Sequence, residues 1–138
     1  MSNSATPKLK QFARRLLAYE AASRKPAASE HSAAFHVFEK LRGPFGKLLG
    51  AGGFRVLLTR ALILAGAETP WLRELQIKAD GSVEGLDAQE GKLKARAVAD
   101  GEVVLVAQLV SLMVTFLGKD LTMRLLQDIW PQMENVTF

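Results

Sequence analysis

VVLVAQLVSLMVTFL, residues 103–117, decides the fold. Its 15 residues carry no charge, and only Gln108, Ser111 and Thr115 are polar. A helix that is apolar in nearly every direction has to be buried on all sides. The run is shorter than the roughly 20 residues a membrane-crossing helix needs. It therefore predicts the central core helix of a soluble domain, with no transmembrane segment.

The neighbouring residues set the limits of this helix. Asp100 reads as its N-cap, because a side-chain oxygen there can accept from the free amides of the first turn. Gly118 divides the segment on the other side. Beyond it Lys119, Asp120, Arg124, Gln127 and Asp128 form a polar face opposite Leu121, Leu125 and Ile129, and the pattern closes at Trp130-Pro131. One kinked helix and two separate helices fit 102–130 equally.

A second stretch, Phe54–Ala67, is apolar nearly all round except for Arg55, Thr59 and Arg60. It predicts another buried helix. Thr6-Pro7 opens a first helix with a hydroxyl cap and a proline at the first helical position. Leu9, Phe12, Ala13, Leu16 and Leu17 then share one face, and the helix runs to about Ser23. A further helix is expected from Ser29 to Arg42, stopped by Gly43-Pro44 and followed by a glycine-rich connection over 43–53. Thr69-Pro70 opens a helical turn through Trp71 and Leu72.

The period changes after that turn. Leu75, Ile77 and Ala79 alternate with Gln76 and Lys78, then Asp80-Gly81 intervenes before Val83-Glu84. Asp-Gly between alternating residues is a hairpin signal, since a two-residue turn needs positive φ at both positions. Residues 87–100 are weakly patterned, with Asp87 and Glu90 spaced as a capping box. The fold class is mainly α: a single domain over 1–138, a bundle of four to six helices with a small β-hairpin near 74–86.

Composition sets the functional limits. The chain has 138 residues, 49% hydrophobic and 23% charged, which is a globular balance. It has no cysteine, so disulfide, thiolate and cysteine-ligated metal chemistry are excluded. No secretory signal is visible. The Ser-, Ala- and Arg-rich start, Met1–Ser23, has the composition of a mitochondrial presequence, yet its apolar positions serve a first core helix. A cytoplasmic protein is expected. Residues 1–60 hold eleven Lys/Arg against three Asp/Glu (+8), and 61–138 hold seven against eleven (−4). Such a split suits either an acidic partner or mutual attraction of the two halves.

No catalytic signature is present. Gly46-Lys47 is followed by Leu48, so the phosphate-loop motif fails, and Arg55 stands where the third glycine of a dinucleotide fingerprint belongs. His31 and His36, five apart, point about 140° from each other on a helix and do not form an i,i+4 metal pair. GxSxG, SxxK and HExxH are absent. No cofactor or metal is expected.

Three residue groups remain as candidates. Glu20 projects from the apolar face of the first helix, where a carboxylate must be paired or have its pKa raised. The favoured expectation is a salt bridge to an arginine such as Arg60 or Arg55, or a helix end that emerges into water, and the other reading is a general acid or base. Lys8, Lys10, Arg14 and Arg15 form a basic face able to neutralise phosphates, but the nearby aromatics fall on apolar positions and offer no stacking platform. Gln108, Ser111, Thr115, Gly118 and Thr122 recur at intervals of three and four as a stripe of small or polar residues. Such a stripe suits a homodimer seam, a polar cavity wall or a close internal helix crossing. The leading expectation is a non-enzymatic protein-interaction or regulatory module that self-associates. Nucleic-acid or other polyanion binding through the first helix is the alternative, and a small-molecule pocket between helices is the third.

Overall fold

A computed structural model describes residues 6–23, 32–133 and 138. In chain order these form α1 (Pro7–Ser23), α2 (Ala33–Leu49), α3 (Ala51–Glu68), a 3-10 turn (Pro70–Glu74), β1 (Gln76–Ile77), β2 (Val83–Glu84), α4 (Leu86–Lys92), α5 (Ala95–Leu117) and α6 (Lys119–Ile129). The architecture is a helical bundle carrying one two-stranded antiparallel hairpin. Phe12 and Leu16 of α1, Phe38, Leu41 and Phe45 of α2, Leu58 of α3, Leu105 and Leu109 of α5 and Leu126 of α6 meet in one continuous core.

The 103–117 segment is the spine of that core. Every residue from Gly101 to Val110 is buried. The helix is longer than the apolar run, with 23 residues, and by length and composition it could cross a membrane; two-thirds of its most apolar window is packed inside the bundle. Asp100 does not cap it. The helix starts a turn and a half earlier, after Lys94, which contributes no side-chain cap. What draws the extra residues into the helix is Trp71. Its indole sits against Gly101, where an added Cβ would lie 2.4 Å from Cζ2, and its Nε1 donates to the Ala97 carbonyl at 3.2 Å.

α1 begins as its sequence predicts, with Thr6 Oγ1 accepting from the Leu9 amide at 3.2 Å. The start and end of α2 differ from expectation. Ser32 caps it by accepting from the Phe35 amide at 3.2 Å, and Ser29–His31 lie outside the described residues. The helix also runs through Gly43-Pro44 to Leu49. An interior proline removes one backbone hydrogen bond and costs about 3 kcal/mol. Continuing the helix places Phe45 one turn beyond Leu41 and two beyond Phe38, all three essentially inaccessible to solvent. Burying a large aromatic offsets that cost.

The expected glycine-rich connection is thus absent. A single residue, Gly50 (φ 81°, ψ 154°), ends α2 and starts α3. Gly118 (φ 88°, ψ 155°) joins α5 to α6 in the same way, so 102–130 contains two helices. The preceding residues also match: Leu48-Leu49 and Phe116-Leu117 each place an exposed side chain first and a core-contacting one second.

The hairpin lies where predicted, in register Gln76↔Glu84 and Ile77↔Val83. Its turn is one residue longer than a two-residue Asp-Gly turn. Lys78 N–H donates to the Ser82 carbonyl at 2.8 Å and Gly81 N–H to the Lys78 carbonyl at 2.9 Å, which leaves a loop over 79–81 with Gly81 at φ 87°. Asp87 and Glu90 do not form a capping box, because α4 starts from Gly85.

Candidate functional site

Glu20 is 2% exposed, as its place on the apolar face of α1 requires. Neither predicted arginine meets it. Lys40 of α2 approaches its Oε1 to 2.8 Å, and Trp130, just past α6, donates from Nε1 to Oε2 at 3.0 Å. Arg60 is exposed on α3, while Arg55 donates from Nε to the Lys78 carbonyl at 3.2 Å. One carboxylate therefore ties together α1, α2 and the end of α6, and its two charge-assisted bonds supply the pairing that burial demands. With both oxygens engaged, this is a structural pin.

The basic face of α1 divides among three surroundings. Lys10 is held by Glu68 of α3 at 2.5 Å. Arg14 lines a mostly apolar hollow of about 350 Å³ with Leu17, Ala21, Ala33 and Val103. Lys8 and Arg15 line a different cleft, of about 300 Å³, together with Gln11, Phe12, Lys119 and Phe138. Phe138 lies against Phe12 edge to face, with ring centroids 5.2 Å apart.

The small-residue stripe is not one continuous surface. Gln108 and Thr122 are buried, Ser111 is half-buried, and Thr115 and Gly118 are exposed. Thr115 Oγ1 donates back to the Ser111 carbonyl at 3.0 Å, and Thr122 Oγ1 is buried with no hydrogen-bond partner among the described residues. The change of helix at Gly118 breaks the run.

A surface that the sequence reading missed is the outer side of α3. This helix is not buried all round: Val56 is 65% and Ile63 60% exposed. Gly52, Arg60 and Ala67 are exposed beside them, and Thr59 is half-buried. Positions 52, 56, 59, 63 and 67 form one seam of the helix, with two large apolar side chains and small residues at both ends. Periodicity does not reveal such a seam, since an outward Val or Ile reads the same as an inward one.

No family model matches the chain, and no curated protein or solved structure matches it. The functional reading rests on the surfaces themselves.

A third surface is a groove of about 320 Å³ between α2 and the hairpin, lined by Glu39, Arg42, Asp80 and Asp87 among others. Arg42 and Glu39 pair with each other there, and Asp80 is tied to Ser82. Arg42 Nη2 donates to Glu39 at 2.7 Å, which holds the guanidinium pKa above its ordinary value. Asp80 accepts from the Ser82 hydroxyl at 2.6 Å and the Ser82 amide at 2.9 Å, and these bonds hold its carboxyl below the usual range. Among the described residues no group of three or more His, Asp or Glu side chains is placed to hold a metal ion.

Proposed function

We propose that this chain is a non-enzymatic interaction module that self-associates by pairing α3 with α3 of a second copy. The exposure of Val56 and Ile63, two turns apart on one helix face, is the observation that carries this reading. Single exposed apolar residues are ordinary on a soluble protein, whereas two β-branched ones aligned on a seam are a contact surface in waiting.

The seam is self-complementary. In an antiparallel pair centred between Thr59 and Arg60, Val56 faces the second copy's Ile63 and Gly52 faces its Ala67. Bulk then meets bulk in the middle, and the small residues let the two backbones approach at either end. Arg60 falls beside the two-fold axis, near its own copy. That repulsion keeps the pair weak at low salt and is screened as salt rises. A lone helix pair also buries less than the roughly 1,200 Å² of a standard stable interface, so association in the micromolar range is expected.

The test is native mass by sedimentation across micromolar concentrations at low and high salt. A dimer that persists or strengthens in salt, and that Val56→Asp with Ile63→Asp converts to monomer, supports the reading. Thr115→Leu separates it from a seam at the end of α5, because that variant leaves an α3 dimer intact. A monomer at every concentration, or a dimer unaffected by the α3 double variant, sinks it.

A further inference from the structure

Arg60 is the charge that the α3 seam leaves unanswered. It is exposed, and its guanidinium makes no hydrogen bond or ion pair among the described residues. No carboxylate lies between Glu39 and Glu68 in the sequence. Those two are taken, Glu39 by Arg42 at 2.7 Å and Glu68 by Lys10 at 2.5 Å. α3 therefore supplies Arg60 with no counter-charge of its own. In the antiparallel α3 pair the two-fold axis passes between Thr59 and Arg60, so a group beside the axis occurs there twice. The two copies of Arg60 fall on one flank of the pair and the two copies of Thr59 on the other. Leu64, one turn on from Arg60, is half-buried and shares the arginine flank. Apolar surface beside the charges strengthens any ionic contact made there. Two guanidiniums at one axis repel each other, and an anion between them turns that repulsion into attraction.

We propose that a phosphate-class oxyanion binds between the two Arg60 side chains at the dimer axis and drives self-association. This rests on the α3 pairing proposed above, since one copy of the chain holds only half of the site. Each guanidinium is a planar fork that matches two oxygens of a phosphate group. An anion with oxygens on opposite sides satisfies both forks, whereas chloride screens the charges without bridging them. A ligand bound by the dimer alone shifts the equilibrium towards it by mass action. The coupling is reciprocal, so pairing of α3 also raises the affinity for the anion. Free polyphosphate and the phosphate tail of a nucleotide carry the same chemistry.

Sedimentation at one fixed ionic strength, in chloride, in pyrophosphate and in ADP, tests the proposal. The dimer dissociation constant should fall about tenfold once pyrophosphate exceeds its own dissociation constant about ninefold. Arg60→Gln should dimerise at least as tightly as the parent in chloride, because the repulsion is gone, and should no longer respond to pyrophosphate. Arg55→Gln is the control. That arginine sits about 140° round the helix from Arg60, and its Nε already donates to the Lys78 carbonyl, so its loss should leave the response intact. Equal effects of ADP and pyrophosphate identify the phosphates alone as the ligand, and a stronger effect of ADP identifies a nucleotide. A dimer that Val56→Asp with Ile63→Asp breaks, yet with equal dissociation constants in chloride and pyrophosphate, overturns this inference and leaves the α3 pairing standing. A pyrophosphate response that survives Arg60→Gln also overturns it. A monomer under all three conditions removes both.

Discussion

Trp130 Nε1 lies 3.0 Å from Glu20 Oε2, a buried hydrogen bond between residues 110 apart in sequence. It closes the bundle by fixing the end of α6 to α1. A hydrogen bond to a charged group is worth about 1.5–3 kcal/mol. Trp130→Phe keeps most of the ring and removes the donor, so it should lower unfolding free energy by about that amount in urea titrations. Combined with Glu20→Gln, the losses should be non-additive, because both act on one contact. Strict additivity would show that the pin contributes nothing as a pair.

The two single-glycine junctions make a second prediction. Gly50 and Gly118 share a φ near +85° with extended ψ, a region almost reserved for glycine, and a Cβ at either would meet nothing within 4 Å. Gly50→Ala and Gly118→Ala should each cost about 1–3 kcal/mol through the backbone alone. Thermal melts of the two variants check this, and a stabilised variant would contradict it.

Gly101 fails for the opposite reason. Its backbone is ordinary helix, where alanine is normally favoured by about 1 kcal/mol. The new methyl group would collide with the Trp71 indole. Gly101→Ala should therefore destabilise the fold and shift the tryptophan emission as the ring leaves the Ala97 carbonyl. A higher melting temperature with unchanged emission would refute the close approach.

The Asp80 carboxyl gives a pH dependence. Its bonds to Ser82 lower its pKa in the folded state below the ordinary 3.8. The stability it contributes is thus fully present above that value and lost as pH falls through the lower folded one. Asp80→Ala should be less stable than the parent at pH 7, and the two should converge in strong acid. Parallel melting curves from pH 7 to pH 2 would show that the carboxylate has no role in the turn.

Much of the architecture was legible because it follows local rules. The Thr6-Pro7 start, the helical periodicity of α1 and α6 and the Asp80-Gly81 hairpin each depend on a few adjacent residues. Legibility failed where a distant contact outweighed the local rule. Gly43-Pro44 reads as a stop, and only the burial of Phe45 carries the helix past it. Glu20 was recognisable as misplaced, but its partners Lys40 and Trp130 come from elements whose packing no local pattern specifies. Two of the three cations that line the aromatic cleft lie on α1 in plain view, while Lys119 joins them only through the tertiary fold. The exposure of Val56 and Ile63 was hidden because composition alone does not give a direction.

The junctions at Gly50 and Gly118 also govern how the chain tolerates changes in length. A connection of one residue has no slack, and each residue added to a helix rotates the next part of the chain by about 100°. An insertion at Gly118 would rotate Thr122 and Leu126 out of the core and break the reach of Trp130 to Glu20. An insertion at Gly50 would turn Leu58 and Ala61 outward. Surviving insertions and deletions should collect in the 79–81 loop, so the spacing of LLG and FLG from the helices after them is itself a signature of the fold.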